Sequence, residues 1–180
     1  TYQRATDPAG NITFYRYDAL GRLKRITLIN DETQRAYEMT YDSMGNMTGL
    51  TEEFTGRNLR VTYNLVGQVI SSAIENTTTS YTYDLAGNLL SVTDPSGLVT
   101  TYAHDVLGNI SAASFSDGTQ ITYRYDGNRN LVSSVDAVGR EVSYVYDALN
   151  RVTSIIEPGS RITQYSYDER NNLVSVTDPS

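Results

Sequence analysis

Apolar and polar residues alternate along most of this chain in short runs, as in Leu98-Val-Thr-Thr-Tyr102 and Ile121-Thr-Tyr-Arg-Tyr125. Alternation built from β-branched and aromatic residues predicts strands, and no stretch carries a convincing helical period. The runs are punctuated at regular intervals, and the stretch Tyr81-Thr-Tyr83-Asp84-Leu-Ala-Gly87-Asn88-Leu89 recurs in near copies from end to end. Aligned on its second aromatic position, the chain gives Tyr17, Tyr41, Tyr63, Tyr83, His104, Tyr125, Tyr146 and Tyr167, spaced by 24, 22, 20, 21, 21, 21 and 21 residues. A fixed period of this length is the signature of a repeat array, which outranks any local assignment.

The next position holds Asp18, Asp42, Asn64, Asp84, Asp105, Asp126, Asp147 and Asp168. Four residues after the aromatic come Gly21, Gly45, Gly67, Gly87 and Gly108, then Arg129, Asn150 and Asn171. Asp at the first corner and Gly or Asn at the fourth predict a type I turn followed by a left-handed residue, the common hairpin with a bulge. Arg129 breaks that pattern, and Gly127-Asn128 offers its repeat another way to turn. Counting back from the turn, Asp84 is expected to face Asn88, Tyr83 to face Leu89 and Tyr81 to face Ser91. The columns opposite the aromatics read Leu23, Met47, Val69, Leu89, Ile110, Leu131, Val152, Leu173, and Arg25, Gly49, Ser71, Ser91, Ala112, Ser133, Ser154, Ser175. The first is all apolar and the second nearly all small, so the expected filling is one aromatic ring on an aliphatic side chain and the other over a small residue.

Half a period away lies a second, outer turn: Asp7-Pro-Ala-Gly10, Asp94-Pro-Ser-Gly97, Ser116-Asp-Gly118, Ala137-Val-Gly139 and Glu157-Pro-Gly159. Pro and Gly there mark tight reversals. Ile29-Asn-Asp-Glu-Thr-Gln-Arg-Ala36 reads as a longer outer turn. Each repeat is therefore two strands of roughly six to eight residues, and eight repeats give about sixteen strands in an all-β, antiparallel sheet. A flat sheet of that extent is unusual, so twist and a bulge in each repeat predict that it curves and coils.

Composition narrows the function. With 15 Tyr and no Trp among 180 residues, much of any packed surface must be built from Tyr. The absence of Cys removes disulfides, thiolate metal sites and thiol nucleophiles. A net charge of -7 with 14 scattered Lys and Arg argues against a nucleic-acid partner. No window approaches 18 consecutive apolar residues, so no membrane helix is expected. The chain begins before Thr6-Asp7-Pro8 and stops at Thr177-Asp178-Pro179, the same phase of the repeat, as expected for one array, residues 1–180, cut from a longer one. Exposed edge strands at the two ends then predict head-to-tail self-association.

Tyr15-Arg-Tyr17-Asp18-Ala-Leu-Gly21-Arg22-Leu23 and Tyr144-Val-Tyr146-Asp147-Ala-Leu-Asn150-Arg151-Val152 resemble the tyrosine-aspartate (YD) repeats of Rhs proteins, insecticidal toxin complex C subunits and teneurins. The resemblance covers essentially the whole chain. It implies a β-sheet that spirals into a hollow shell, of which this array is one part. Bacterial members enclose a C-terminal toxin in that shell, whereas teneurins use it as an extracellular adhesion scaffold. The resemblance thus implies a wall segment of a secreted or cell-surface bacterial protein, whose partner is the rest of its own polypeptide. The alternative is an adhesion or glycan- and receptor-binding module. The core segment that follows the repeats in bacterial members is not found in this sequence.

Three chemistries compete with that structural reading. The Asp column invites Ca²⁺, but the Gly-rich spacing of calcium-binding repeats is missing, so each Asp is read as capping its turn through the backbone two residues on. His104-Asp105 evokes a hydrolase pair, yet adjacent strand residues point to opposite faces, and His104 is read as an aromatic substitute in the Tyr column. Asn11-Ile-Thr13, Asn46-Met-Thr48, Asn76-Thr-Thr78 and Asn109-Ile-Ser111 fit the N-glycosylation pattern, which arises readily in Asn- and Thr-rich sequence. The reading is no enzyme, no cofactor and no metal.

Overall fold

The computed structural model describes residues 1–30 and 33–179, and its regular elements are all strands. There are seventeen: β1 (Tyr2–Thr6), β2 (Ile12–Tyr17), β3 (Leu23–Ile29), β4 (Gln34–Tyr41), β5 (Met47–Glu52), β6 (Asn58–Tyr63), β7 (Val69–Ile74), β8 (Thr77–Tyr83), β9 (Leu89–Thr93), β10 (Val99–His104), β11 (Ile110–Ser114), β12 (Gln120–Tyr125), β13 (Leu131–Val135), β14 (Glu141–Tyr146), β15 (Val152–Glu157), β16 (Arg161–Tyr167) and β17 (Leu173–Thr177). The count exceeds the expected sixteen because β1 precedes the first complete repeat. Two compact units divide the chain, Thr1–Thr82 with Thr93–Gly97, and Tyr83–Val92 with Leu98–Ser180.

In the first unit, β1 to β8 form an antiparallel meander in which each strand pairs with its sequence neighbours. In the second, β10 to β17 do the same. Among the described residues, Ala36, Val61, Ala113 and Ser133 are the buried ones, and the Tyr of the repeat columns are half-buried. Asp31 and Glu32 of the long outer turn lie outside the described residues. Its flanks close through the Asn30 N–H, which donates to the Thr33 carbonyl at 3.1 Å.

Register corrects one expectation. Seven of the aromatic hairpins carry a register shift just beyond the turn: Tyr125 pairs with Leu131 as expected, but Arg124, not Tyr123, pairs with Ser133, and Tyr123 pairs with Ser134. The same shift follows Tyr17, Tyr41, Tyr63, His104, Tyr146 and Tyr167. One inserted residue, Val132 in that hairpin, moves everything after it to the opposite face. The small column therefore lies on the other face from the aromatic rings. Tyr15, Tyr123, Tyr144 and Tyr165 instead oppose Ile26, Ser134, Ile155 and Val176. One face of each meander is thus aromatic and aliphatic and the other small and polar. Arg25, the large exception in the small column, finds Glu38 and Glu53 on that polar face.

The outer turns also divide by type. Gly10, Gly97, Gly118 and Gly139 donate their N–H to the carbonyls of Asp7, Asp94, Phe115 and Asp136. The Glu157–Arg161 loop instead places both Gly159 and Ser160 at positive φ, 82° and 62°.

Candidate functional site

The recurring residues converge on the inner turns. Tyr17, Tyr41, Tyr63, Tyr83, His104, Tyr125, Tyr146 and Tyr167 each end a strand, and the Asp or Asn that follows opens the turn. At Asp18, the N–H donates to the Arg22 carbonyl at 2.8 Å, while Gly21 N–H donates back to the Asp18 carbonyl at 3.2 Å. The Asp18 carboxylate closes the turn from the side: Oδ1 accepts from the N–H groups of Leu20 and Arg22 at 2.9 Å, and Oδ2 from Arg22 Nε at 2.7 Å. Asp42, Asp105, Asp126, Asp147 and Asp168 repeat this pattern with Asn46, Asn109, Asn130, Arg151 and Asn172. Asp84 takes the N–H and Nδ2 of Asn88 at 2.8 and 2.9 Å. Asn64 does this uncharged, accepting from Val66 and Gln68 N–H and donating Nδ2 to Gln68 Oε1.

The side-chain donor four residues beyond the Asp was not anticipated. Its signal was present, since that column holds only Arg, Asn and Gln: Arg22, Asn46, Gln68, Asn88, Asn109, Asn130, Arg151 and Asn172. The same unit also closes two outer turns, Asp7 with Asn11 and Asp136 with Arg140. That side-chain donor is the largest cause holding the carboxyls of Asp7, Asp42, Asp84, Asp105, Asp126, Asp147 and Asp168 below their ordinary pKa. At Asp18 and Asp136 the backbone N–H of Arg22 and of Arg140 leads. Hydrogen bonds to the charged form favour ionisation.

Arg129 corrects a second expectation. It takes the left-handed conformation itself, φ 66°, and its N–H donates to the Asp126 carbonyl at 3.1 Å, so no alternative Gly127-Asn128 turn forms. Asn150 and Asn171 sit alike at 60° and 68°, and the glycines of the other repeats at 79–92°. The Asp126 cap holds the turn although Arg is poorly suited to this region. Replacing Arg129 by Gly is expected to raise stability by about 0.5–1 kcal/mol, the relief of left-handed strain being partly offset by chain entropy, as read in denaturant melts.

The Tyr hydroxyls have a defined task. The ladder between β3 and β4 stops at Arg25 and Glu38, so the Leu23 carbonyl lies past its end, and Tyr41 Oη donates to it at 2.6 Å. Tyr63 serves the Met47 carbonyl at 2.9 Å, Tyr146 that of Leu131 at 2.8 Å and Tyr167 that of Val152 at 2.9 Å. Each hydroxyl thereby replaces a backbone bond where the strands part. Arg22 and Arg151 add a second tie, their guanidinium carbons 4.6 Å from the ring centres of Tyr41 and Tyr167. They also donate to the Asp42 and Asp168 carbonyls at 3.2 and 3.3 Å, joining one turn to the next.

His104 ends β10 half-buried, opposite Ile110, and its imidazole makes no hydrogen bond among the described residues. Asp105 is occupied by Leu107 and Asn109, so it does not orient the imidazole. His104→Tyr is expected to be neutral or to stabilise by up to about 1 kcal/mol in thermal melts, by supplying the missing ring and hydroxyl. No cluster of three or more potential metal ligands occurs among the described residues.

Comparison with known proteins follows the same lines. The family model of the teneurin YD-shell matches residues 3–180. The fold is similar to a crystal structure of TcdB2-TccC3, with a TM-score of 0.79 and 18% identity over 97% of this chain and 11% of that one. A structure of the Photorhabdus luminescens Tc holotoxin pore with a mutated TccC3 gives 0.77 and 18%, over 97% and 10%. This chain therefore spans about a tenth of the length of the chains it resembles. Among curated proteins, none matches.

Proposed function

This chain belongs to the teneurin YD-shell family, and from that premise we propose that it is a length of wall in a shell that encloses an effector carried by the same polypeptide. Its role is structural. The observation that carries this reading is that the recurring groups are spent on the sheet itself: the Asp carboxylates on turn N–H groups, and the hydroxyls of Tyr41, Tyr63, Tyr146 and Tyr167 on strand carbonyls of the preceding hairpin. We take residues 1–180 as a single array of eight repeats whose partner is the remainder of its own polypeptide. No catalytic residue, cofactor, nucleic acid or membrane insertion enters the proposal. Its setting is a secreted or cell-surface bacterial protein, a reading supported by the likeness to a holotoxin pore.

Limited proteolysis of the full-length polypeptide tests the enclosure. The region beyond the repeats should resist protease while the wall is closed and become digestible once acid has opened it. Digestion at one rate in both states would overturn enclosure. Further, β1 and β17 are exposed at every residue, and free strand edges recruit partners. The isolated chain should then gain scattering mass with concentration, and a strict monomer at high concentration would contradict head-to-tail association.

A further inference from the structure

The polar face of the first unit holds a feature that the wall does not require. The ladder between β5 and β6 stops at Gly49 and Arg60, and the strands part towards their inner turns. At the equivalent position other hairpins carry Arg25, Ala112, Ser133 or Ser154, whereas here there is no side chain. A Cβ on Gly49 would lie 2.6 Å from Thr40 Oγ1 and 3.5 Å from the Leu59 carbonyl oxygen. The Thr40 hydroxyl has closed over that missing group, where it meets the Thr48 hydroxyl at 3.1 Å. A trough of about 590 Å³ remains above the glycine, within the range of small-ligand sites.

Beside the Asp42 carboxylate, which is spent on the N–H groups of Met44 and Asn46 and on Asn46 Nδ2, its rim combines three kinds of group. Arg60 is exposed and makes no ion pair or hydrogen bond among the described residues, so its five donors are free. Asn58 Oδ1 is buried without a partner, an acceptor in want of a donor. The hydroxyls of Thr40, Thr48 and Thr62 each keep spare donor or acceptor capacity, since Thr40 and Thr48 share one bond and Thr62 shares one of 2.7 Å with Ser71. A planar cation takes a carboxylate in two parallel bonds. The hydroxyls and the orphan amide oxygen match the mixed donors and acceptors of a sugar ring. A net charge of -7 disfavours long polyanions, which leaves a ligand with a single charge.

We propose that the trough over Gly49, between Arg60 and the threonine hydroxyls, binds an acidic monosaccharide unit, its carboxylate on Arg60 and its ring hydroxyls on Thr40, Thr48 and Asn58. This goes beyond the wall reading and does not depend on it, since a wall segment can carry a saccharide site on one face.

Saturation-transfer and titration NMR on this chain with glucuronate, glucose and acetate provide the test. Glucuronate should bind, with glucose and acetate each at least about tenfold weaker. Arg60→Gln should weaken glucuronate by about tenfold or more, while Arg124→Gln, an exposed arginine on the same kind of face but outside the trough, should leave it unchanged. Gly49→Ser places a Cβ 2.6 Å from Thr40 Oγ1, so the Thr40 hydroxyl must turn aside, and the variant should fold and yet lose glucuronate. Three results would overturn the proposal: no glucuronate binding at about 10 mM, acetate bound as well as glucuronate, or Arg60→Gln without effect. Should Gly49→Ser misfold, the Arg60 and acetate comparisons still decide.

Discussion

Thermal stability should be level between about pH 8 and pH 5 and collapse as the pH falls below about 4. Ten aspartates, Asp7, Asp18, Asp42, Asp84, Asp105, Asp117, Asp126, Asp136, Asp147 and Asp168, have carboxyls held below their ordinary pKa. A carboxyl that titrates lower in the folded chain binds fewer protons there than in the unfolded chain. Its contribution is therefore complete above the unfolded pKa, about 3.9, and is lost as the pH falls through the folded value. All ten accept from backbone or side-chain donors that a protonated acid satisfies poorly, and all but Asp117 lie in the same turn motif. Circular-dichroism melts across this range check the expectation, with Asp147→Asn as a partner experiment. The amide keeps an acceptor for the Leu149 and Arg151 N–H groups but loses the Arg151 ion pair, so it should cost less than Asp147→Ala. A melting temperature that holds constant down to pH 2.5 would contradict the assignment of these carboxylates as turn closures.

Removing hydroxyls should discriminate among tyrosines that look equivalent in sequence. Tyr41→Phe, Tyr63→Phe, Tyr146→Phe and Tyr167→Phe each delete a donor to a strand carbonyl and should cost about 1–2 kcal/mol. The four together should approach about 4–8 kcal/mol if the pairs in separate repeats act independently. Tyr125 ends β12 in the same way, yet its hydroxyl makes no hydrogen bond among the described residues, and burial pushes its pKa up. Tyr125→Phe should therefore stay within about 0.5 kcal/mol of the parent chain in denaturant melts. Equal losses at Tyr125 and Tyr146 would show that the cost arises from ring packing and not from the carbonyl bond.

Strands and turns were legible because the repeat supplies eight readings of each position. Asp and Gly columns fix the inner turn, and the alternation around Tyr123 and Tyr125 fixes the strand before it. The face of each strand after the turn was not legible. An inserted residue such as Val132 has no composition of its own, and only the ladder shows that it turns Ser133 away from Tyr123. The conformation of Arg129 was misread because propensity argued against it, while the Asp126 cap and the hairpin around it overrode propensity. The second half of each cap was readable in principle, since the position after the Gly column carries only Arg, Asn or Gln. It needed the geometry of the Asp18 carboxylate, with two oxygens serving two kinds of donor, to acquire a meaning. The trough at Gly49 was hidden for a related reason. A glycine in a column of small residues looks unremarkable until the strands around it are seen to part.

Electron cryomicroscopy of the full-length polypeptide tests the central claim most directly. The wall reading predicts that residues 2–177 appear as β-hairpins built into a closed shell, with density from the same polypeptide in its lumen. Repeats found outside any enclosure, or a shell with an empty lumen in the intact protein, would contradict it.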